Sequence, residues 1–183
     1  MVLLTLTGES GTGKSTIARS LLQLRGFQVI TSSTTRAARP SDLPKEYEYL
    51  SQMGFEQLNE ENIFLWTIPY AGHHYGTRQA YIDQALSSEG VSLLIFVPQV
   101  VPLLVAYTNK VIPFFIRTPP EAILRERMLC RGDAPENIEK RLQHLGIWEK
   151  EAEEQEGFYR FITNEGPIED AVAQILSSVG ALS

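Results

Sequence analysis

A short stretch near the N-terminus has the residue types and spacing of a phosphate-binding loop: Gly8-Glu9-Ser10-Gly11-Thr12-Gly13-Lys14-Ser15-Thr16. It follows the apolar run 2–7 and precedes residues 17–22, so the pattern G-x-x-x-x-G-K-[ST] lies between a predicted strand and a predicted helix. Its glycines let backbone N–H groups turn towards an anion, and the N-terminus of the helix adds positive charge. Lys14 is expected to reach the β- and γ-phosphates of a nucleoside triphosphate, and the Ser15 hydroxyl is expected to bind Mg²⁺.

A second candidate phosphate site lies in residues 32–42, which are small, hydroxylated and basic. This segment matches neither an amphipathic helix nor an alternating strand, so we expect a loop. Arg36 and Arg39 lie beside several hydroxyl groups and could bind phosphate, because a guanidinium group contacts two phosphate oxygens at once. The residues alone leave open the alternative of a solvated loop with two surface charges.

Four further arginines flank a predicted break between helices. Residues 118–121 open a helix that carries Arg125, Arg127 and Arg131, and residues 132–135 interrupt it. Arg141 lies in a helix predicted over 136–148. Arginines around such a break could close over phosphates and neutralise the transferred group only when the segment is shut. Ordinary surface charge on a helix is the alternative.

The order of the predicted elements favours an α/β fold. Apolar strands predicted at 2–7, 27–31, 92–97 and 111–116 alternate with amphipathic helices, which indicates a parallel sheet with helices on both faces. Alternating segments within 47–77 predict a small antiparallel insert. His73 and His74 fall in this insert, but neighbouring strand residues point to opposite faces, so a metal site there is not favoured.

Composition limits the partners that the chain can have. A net charge of −6 over 183 residues gives no electrostatic basis for general nucleic-acid binding. The apolar segment 91–107 is too short to span a bilayer comfortably, and no secretory leader is visible, so no membrane partner is expected. The single cysteine, Cys130, fits a reducing compartment, and we expect a cytoplasmic protein. The oligomeric state cannot be read from the sequence.

The order of these motifs resembles that of the guanylate kinase family, and the similarity covers essentially the whole chain. Beyond the phosphate loop it rests on short motifs in the family's order: Ser32-Ser33-Thr34-Thr35-Arg36, Arg39-Pro40, Glu46-Tyr47, Tyr75-Gly76-Thr77, Gln99, Pro119-Pro120, Arg127, Arg131-Gly132, Lys140-Arg141-Leu142 and Asn164.

The resemblance implies a P-loop NTPase fold in one domain, residues 1–183, with ATP and Mg²⁺ as cofactors. Its core would comprise 1–31, 78–125 and 142–183, its acceptor-binding insert 32–77 and its helical lid 126–141.

The resemblance also assigns roles to individual residues. Those that would hold the acceptor are Ser32, Arg36, Arg39, Tyr47, Leu65, Tyr75, Gly76 and Thr77. Those that would act on the transferred phosphate are Lys14, Arg127, Arg131 and Arg141. The donor nucleotide would contact the phosphate loop and Asn164, with Ser15 as the metal ligand.

Three positions depart from the family. Guanylate kinases usually have a glutamate immediately before the position of Trp66, where this chain has Leu65, and two aspartates before Gln99, where it has Ile95 and Val97. In the family, the glutamate and the first aspartate accept hydrogen bonds from guanine, and the second aspartate lies near the phosphates. Each buried donor left without an acceptor costs about 1–3 kcal/mol, so the selection of guanine should weaken by roughly 10²-fold or more.

These observations predict a kinase that transfers the γ-phosphoryl group of ATP to a small acceptor that already carries a phosphate. GMP is the family's default acceptor, but Leu65, Ile95 and Val97 make another nucleotide or a ribose phosphate a close alternative, because a related branch phosphorylates ribose bisphosphate. A non-catalytic module that binds phosphorylated peptides is the alternative of another class, although such modules typically have a degraded phosphate loop. A purely structural ATP-binding regulator has no supporting feature.

Overall fold

The computed structural model describes residues 2–143, 145–155 and 157–180. Met1, His144, Glu156 and residues 181–183 of the predicted domain lie outside the described residues. The strands are β1 (Val2–Thr7), β2 (Phe27–Val29), β3 (Ser32–Thr34), β4 (Tyr47–Tyr49), β5 (Phe64–Tyr70), β6 (His73–Arg78), β7 (Val91–Ile95), β8 (Val111–Ile116) and β9 (Arg160–Ile162).

The helices alternate with these strands along most of the chain. They are α1 (Lys14–Leu21), α2 (Gln52–Glu60), α3 (Gln79–Ser87), α4 (Val101–Tyr107), α5 (Glu121–Cys130), α6 (Pro135–Leu142), α7 (Ile147–Glu154) and α8 (Ile168–Gly180). A short 3₁₀ helix, Pro98–Val100, precedes α4. Among the described residues, no helix combines the length and the apolar character needed to cross a membrane.

The larger sheet has the order β2-β7-β1-β8-β9. Its edge pairs, β2 with β7 and β8 with β9, run parallel. β1 lies at its centre between strands that come much later in the chain, which is the arrangement that helical crossovers produce. The predicted α/β architecture with a parallel sheet and flanking helices is confirmed.

The smaller sheet has the order β4-β3-β6-β5 and differs from the predicted antiparallel insert in one pair. β3 with β6 and β5 with β6 are antiparallel, but β3 and β4 are parallel. Parallel strands need a crossover of about a dozen residues, and the connection from Thr35 to Glu46 supplies it.

The predicted loop over 32–42 begins as a strand, because Ser32–Thr34 form β3. All three of these residues are buried, and β3 lies between β4 and β6. Hydroxyl side chains hide this strand from a hydrophobic pattern, whereas pairing on both edges stabilises it. Only the rest of the segment, from Thr35 onwards, is a loop.

The described chain forms two compact units, each with its own core. The first comprises Met1–Leu4, Leu22–Leu94 and Gln99–Val111, and the second Thr5–Leu21, Ile95–Pro98 and Ile112–Ser183, within the described residues. The first unit buries Leu93 and Ile82, and the second buries Phe114, Ile17 and Ile175. In the second unit α5 and α6 share a small apolar cluster of Leu124, Met128 and Ile138.

The helix predicted over 136–148 is divided in the structure. α6 ends at Leu142, and α7 begins at Ile147. The residue before α7 is Gly146 with φ +80°, a left-handed conformation that an L side chain rarely adopts, and it interrupts the helical path. The apolar spacing continues across this point, which is why the sequence pattern does not reveal the break.

Candidate active site

The phosphate loop of the second unit connects the end of β1 to the start of α1. Gly8, Gly11 and Gly13 have φ values of +136°, +89° and +96°, which favour glycine at each of these positions. A β-carbon on Gly8 would lie 2.6 Å from the carbonyl oxygen of Ile116, so the loop passes directly over the end of β8. The Thr12 hydroxyl donates to the Glu9 carbonyl at 2.9 Å and closes the turn.

Lys14 is the first residue of α1, and its ammonium group folds back over the loop. Its Nζ donates to the carbonyl oxygens of Gly8 at 2.8 Å and Glu9 at 2.7 Å. Ser15 follows at the first turn of α1 and is half-buried. The N-terminal N–H groups of an α-helix have no intrahelical acceptor, so the loop and α1 together present donors and a positive charge to an anion.

Asn164 and Arg127 form a linked pair beside this loop. The Asn164 side chain is buried and donates from Nδ2 to the Thr12 carbonyl at 2.8 Å. A β-carbon on Gly13 would overlap this Nδ2 atom, so only glycine at position 13 allows the Asn164 side chain to pack this closely. Arg127 Nη2 donates to the Asn164 carbonyl at 2.9 Å, while its Nη1 is buried with no hydrogen-bond partner in the described part of the chain.

Arg131 and Arg141 meet at one carboxylate. Arg131 donates to Asp133 from Nε at 3.2 Å and also from Nη2. Arg141 Nη1 donates to Asp133 Oδ2 at 2.7 Å. The side chains of Arg131 and Arg141 are 39% and 33% exposed, so an anion in solution can compete with Asp133 for them.

In the first unit, Arg36 and two tyrosines form a second cluster. The Arg36 guanidinium carbon lies 5.0 Å from the centre of the Tyr47 ring, a cation–π distance. The rings of Tyr47 and Tyr75 meet edge to face, with centroids 6.2 Å apart. Burial is the main cause that raises the pKa of the Tyr47 hydroxyl, so this group is a neutral hydrogen-bond donor across the physiological range.

Arg36 is paired with Asp42 in this structure. Its side chain is 6% exposed, and its two terminal nitrogens donate to the two carboxylate oxygens at 3.0 and 3.1 Å. Burial acts to lower the pKa of Arg36, but the hydrogen bonds and charge of Asp42 outweigh it and raise that pKa. The Arg39 backbone N–H also donates to Asp42, at 2.8 Å, while the Arg39 side chain is exposed to solvent.

The remaining predicted acceptor residues lie on β3, β5 and β6. The buried hydroxyls of Ser32 and Thr77 share a hydrogen bond of 2.9 Å. Gly76 is buried between strands, where a β-carbon would lie 2.9 Å from the Trp66 carbonyl oxygen. Leu65 is half-buried at a register shift between Phe64 and Trp66, so it is the extra residue of a β-bulge.

The two substituted positions near Gln99 lie at and after the end of β7. Ile95 is the last residue of that strand, Val97 precedes the 3₁₀ helix, and both are half-buried. Among the described residues no group of three or more His, Cys, Asp and Glu side chains is arranged to hold a metal ion. A Mg²⁺ ion held by Ser15 and phosphate oxygens does not need such a group, because Mg²⁺ keeps waters and uses few protein ligands.

Sequence reasoning missed two carboxylates and the role of a third. Asp42 and Asp133 each bind the arginines that were predicted to bind phosphate. In the sequence, Asp42 lies six residues after Arg36, and Asp133 lies two residues after Arg131 and eight before Arg141, spacings too common to predict a pairing. Glu9 was predicted only as part of the loop, yet its side chain accepts a hydrogen bond from the Trp148 backbone at 3.2 Å.

Comparisons with known proteins identify relatives along nearly the whole chain. A family model described as guanylate kinase matches residues 1–181. A guanylate kinase of Thermus thermophilus is 34% identical over 182 residues, covering 98% of this chain and 80% of the relative. A guanylate kinase of Trichormus variabilis is 37% identical over 145 residues, covering 77% of this chain and 72% of the relative.

Solved structures support the fold. The crystal structure of guanylate kinase from Anaplasma phagocytophilum superposes with a TM-score of 0.76 at 23% identity, covering 99% of this chain and 85% of that one. A gluconokinase from Sinorhizobium meliloti gives a TM-score of 0.53 at 17% identity, covering 99% and 93%. At these identities the likeness concerns the fold alone, and it confirms the P-loop NTPase architecture that the sequence predicts.

Proposed function

Because this chain belongs to the guanylate kinase family and is a phosphotransferase of the nucleoside monophosphate kinase type, we propose that it transfers the γ-phosphoryl group of ATP to a small acceptor that already carries a phosphate. The intact phosphate loop, with Lys14 over it and Asn164 packed against Gly13, carries the proposal. The predicted cytoplasmic location fits this activity, since the reaction draws on a pool of ATP.

The second unit would hold the donor. Lys14 leaves the loop carbonyls and binds the β- and γ-phosphates, and the N–H groups of the loop surround the same oxygens. Arg127 contributes its buried Nη1, which makes no hydrogen bond within the described structure and would donate to a phosphate oxygen. Arg131 and Arg141 exchange Asp133 for phosphate oxygens, so residues 126–141 would act as a lid that adds positive charge.

The Ser15 hydroxyl would hold Mg²⁺ together with phosphate oxygens and water. Bound there, the ion neutralises charge on the β- and γ-phosphates. An oxygen of the acceptor's phosphate forms a bond to the γ-phosphorus while the bond to the β–γ bridging oxygen breaks, and ADP leaves. The chain contributes position and charge to this step rather than a covalent intermediate.

The first unit would hold the acceptor in residues 32–77. Arg36, Tyr47 and Tyr75 form a cluster of one guanidinium and two phenols, a set of donors suited to a monophosphate. The exposed Arg39 side chain can add a second guanidinium. This cluster is part of the family's pattern of motifs, so its retention supports an acceptor that carries a phosphate.

The identity of the acceptor depends on the groups beyond this phosphate. The relatives are guanylate kinases, and GMP is therefore the first candidate. The Leu65 side chain at the β5 bulge has no hydrogen-bond acceptor, and the side chains of Ile95 and Val97 have none either. These three residues favour a second candidate, a different nucleotide or a ribose phosphate, whose recognition does not need carboxylates.

A panel of acceptors tests the proposal. ADP release is measured with ATP and Mg²⁺ against GMP, AMP, CMP, UMP and ribose 1,5-bisphosphate. We expect at least one of them to stimulate turnover, and we expect Lys14→Ala to lower that turnover by roughly 10²-fold or more, as the loss of a group that stabilises transition-state charge does. Lys110→Ala, which removes an exposed lysine immediately before β8, is the matched control and should not change the rate.

Each outcome of this panel separates the candidate functions. Turnover of GMP at ordinary kinase rates would show that the aliphatic substitutions do not prevent recognition of guanine. Preference for another acceptor would support the second candidate. If none of the acceptors stimulates turnover and Lys14→Ala leaves ligand binding unchanged, the proposal is wrong and a non-catalytic binding module replaces it.

A further inference from the structure

The Glu9 side chain extends from the phosphate loop to the N-terminus of α7. Glu9 Oε1 accepts the Trp148 backbone N–H at 3.2 Å, and the backbone N–H of Gly146 also acts on this carboxylate. The residue is only 8% exposed. Burying a carboxylate costs free energy unless it is hydrogen-bonded or paired. The hydrogen bond from Trp148 offsets part of this cost for an acidic side chain in an anion-binding loop.

The first turn of α7 needs such an acceptor. Its N-cap residue is Gly146, which has no side chain, so within the described part of the chain the N-cap residue gives α7 no side-chain hydrogen bond. The first N–H groups of a helix lack intrahelical partners, and a nearby carboxylate stabilises them by charge as well as by hydrogen bonding. Glu9 therefore supplies from a distance the cap that Gly146 lacks.

The main chain of Glu9 belongs to the phosphate loop itself. Its carbonyl accepts from Lys14 Nζ at 2.7 Å and from the Thr12 hydroxyl at 2.9 Å. The same residue thus meets Lys14 through its main chain and α7 through its side chain. The positive charge of Lys14 also acts on the carboxylate, so a movement of Lys14 changes the electrostatic surroundings of the group that caps α7.

We propose that Glu9 is a positioning residue that couples occupation of the phosphate loop to the first turn of α7. The inference rests on the proposed function, because Lys14 must turn from the Glu9 carbonyl to a bound phosphate. The negative phosphate then neutralises Lys14, and the Glu9 carboxylate relies more strongly on the N–H groups of Gly146 and Trp148. The first turn of α7 becomes more firmly held when the donor is bound.

The coupling matters for catalysis because α6 precedes α7 in the chain and carries Arg141. A second anchor holds the same turn, since Glu149 accepts from Arg117 Nη1 at 2.8 Å and from the Thr118 backbone N–H at 2.8 Å. With its start fixed at both places, α7 restricts the positions available to Arg141. Glu9 thereby acts on the transferred phosphate through another residue rather than by touching it.

Hydrogen exchange of the α7 backbone amides tests this coupling. It is measured in the presence and absence of Mg²⁺ and the non-hydrolysable analogue adenylyl imidodiphosphate, for the wild type, Glu9→Ala, Glu9→Gln and the control Glu151→Ala. Glu151 is an exposed carboxylate of α7 that does not contact the loop in the described structure. Binding of the analogue is followed separately by calorimetry.

We expect the analogue to slow exchange at Trp148 in the wild type and in Glu151→Ala by at most roughly 10-fold, because strengthening an existing hydrogen bond gains no more than one hydrogen bond to a charged group contributes. Glu9→Ala should bind the analogue but lose this protection, and Glu9→Gln should restore part of it, because its amide keeps one acceptor. Failure of the wild type to bind the analogue would contradict the proposed function. Normal binding with equal protection in Glu9→Ala would overturn the coupling alone.

Discussion

The guanidinium of Arg36 and the carboxylate of Asp42 form a paired contact inside the first unit, with both carboxylate oxygens engaged at 3.0 and 3.1 Å. Asp42 also accepts from the Tyr49 hydroxyl at 2.6 Å. A residue predicted to bind the acceptor's phosphate is therefore already bound to an anion of the chain. In the second unit, the Asp133 carboxylate likewise accepts hydrogen bonds from Arg131 and Arg141, two residues predicted to bind phosphate.

Asp42→Asn should separate the structural role of this pair from the role of Arg36 in binding phosphate. The substitution removes the negative charge beside a buried guanidinium but keeps one acceptor, so the free energy of unfolding should fall by about 1–3 kcal/mol. Inorganic phosphate should then restore more stability to the variant than it adds to the wild type, because it can pair with the released Arg36. Chemical denaturation with and without phosphate measures both effects.

The control for this experiment is Arg25→Ala, which removes an exposed arginine of the same unit. Phosphate should affect this variant and the wild type equally. If phosphate stabilises Asp42→Asn no more than it stabilises the wild type, Arg36 is a structural residue and the acceptor site lies elsewhere.

Asp133→Asn should change donor binding with little effect on stability. Asp133 pairs with two arginines whose side chains are partly exposed, and ion pairs of this kind contribute less than about 1 kcal/mol. Without the competing carboxylate, Arg131 and Arg141 are available to phosphate, so the Kd for the ATP analogue should fall. Calorimetry at two salt concentrations measures this change, which should be smaller at high salt.

Arg141→Ala provides the reverse case, and Lys140→Ala is its matched control from the same turn of α6. Arg141→Ala should lower kcat, whereas Lys140→Ala should leave it unchanged, since Lys140 is exposed. Equal effects of the two substitutions would mean that general positive charge, rather than a placed guanidinium, acts on the phosphate.

The sequence predicts those parts of the fold whose signal is local. β1 and β8 have the predicted bounds, Val2–Thr7 and Val111–Ile116, because a continuous apolar run between turn residues is typical of a buried strand. β3 was missed because Ser32–Thr34 are polar and are held by pairing with strands that are distant in sequence. Pairing of this kind leaves no periodic pattern in the strand itself.

The candidate site likewise contains residues with a local sequence signal and residues held by contacts between distant parts of the chain. The phosphate loop is a contiguous motif, and its geometry follows from glycine positions that can be read directly. The contact of Glu9 with Trp148 joins residues separated by 139 positions, and nothing in either local sequence indicates it. The pairings of Asp42 and Asp133 depend on how two loops turn, which the spacing of the residues does not determine.

Gly13→Ala should disrupt the phosphate loop. The position has φ +96°, and an added β-carbon would overlap Nδ2 of Asn164, which must then release the Thr12 carbonyl. Strain of this kind costs about 1–3 kcal/mol, so affinity for the ATP analogue should fall by roughly 10-fold or more. Gly180→Ala, where the added carbon meets no atom of the described residues within 4 Å, is the control and should bind normally. Unchanged affinity in Gly13→Ala would contradict the packing described for Asn164.

The pH dependence of stability should report the buried Glu9 carboxyl. Burial raises the pKa of Glu9 more than the Trp148 and Gly146 N–H groups and Lys14 lower it, while Glu149 adds to the rise. The folded protein therefore binds the proton more tightly than the unfolded chain, and this contribution to stability is lost as pH rises through the folded pKa. Glu9→Gln cannot titrate, so its unfolding free energy relative to the wild type should increase from acidic to neutral pH. Thermal denaturation across that range measures the difference, and a constant difference would mean that Glu9 has an ordinary pKa and is not desolvated in solution.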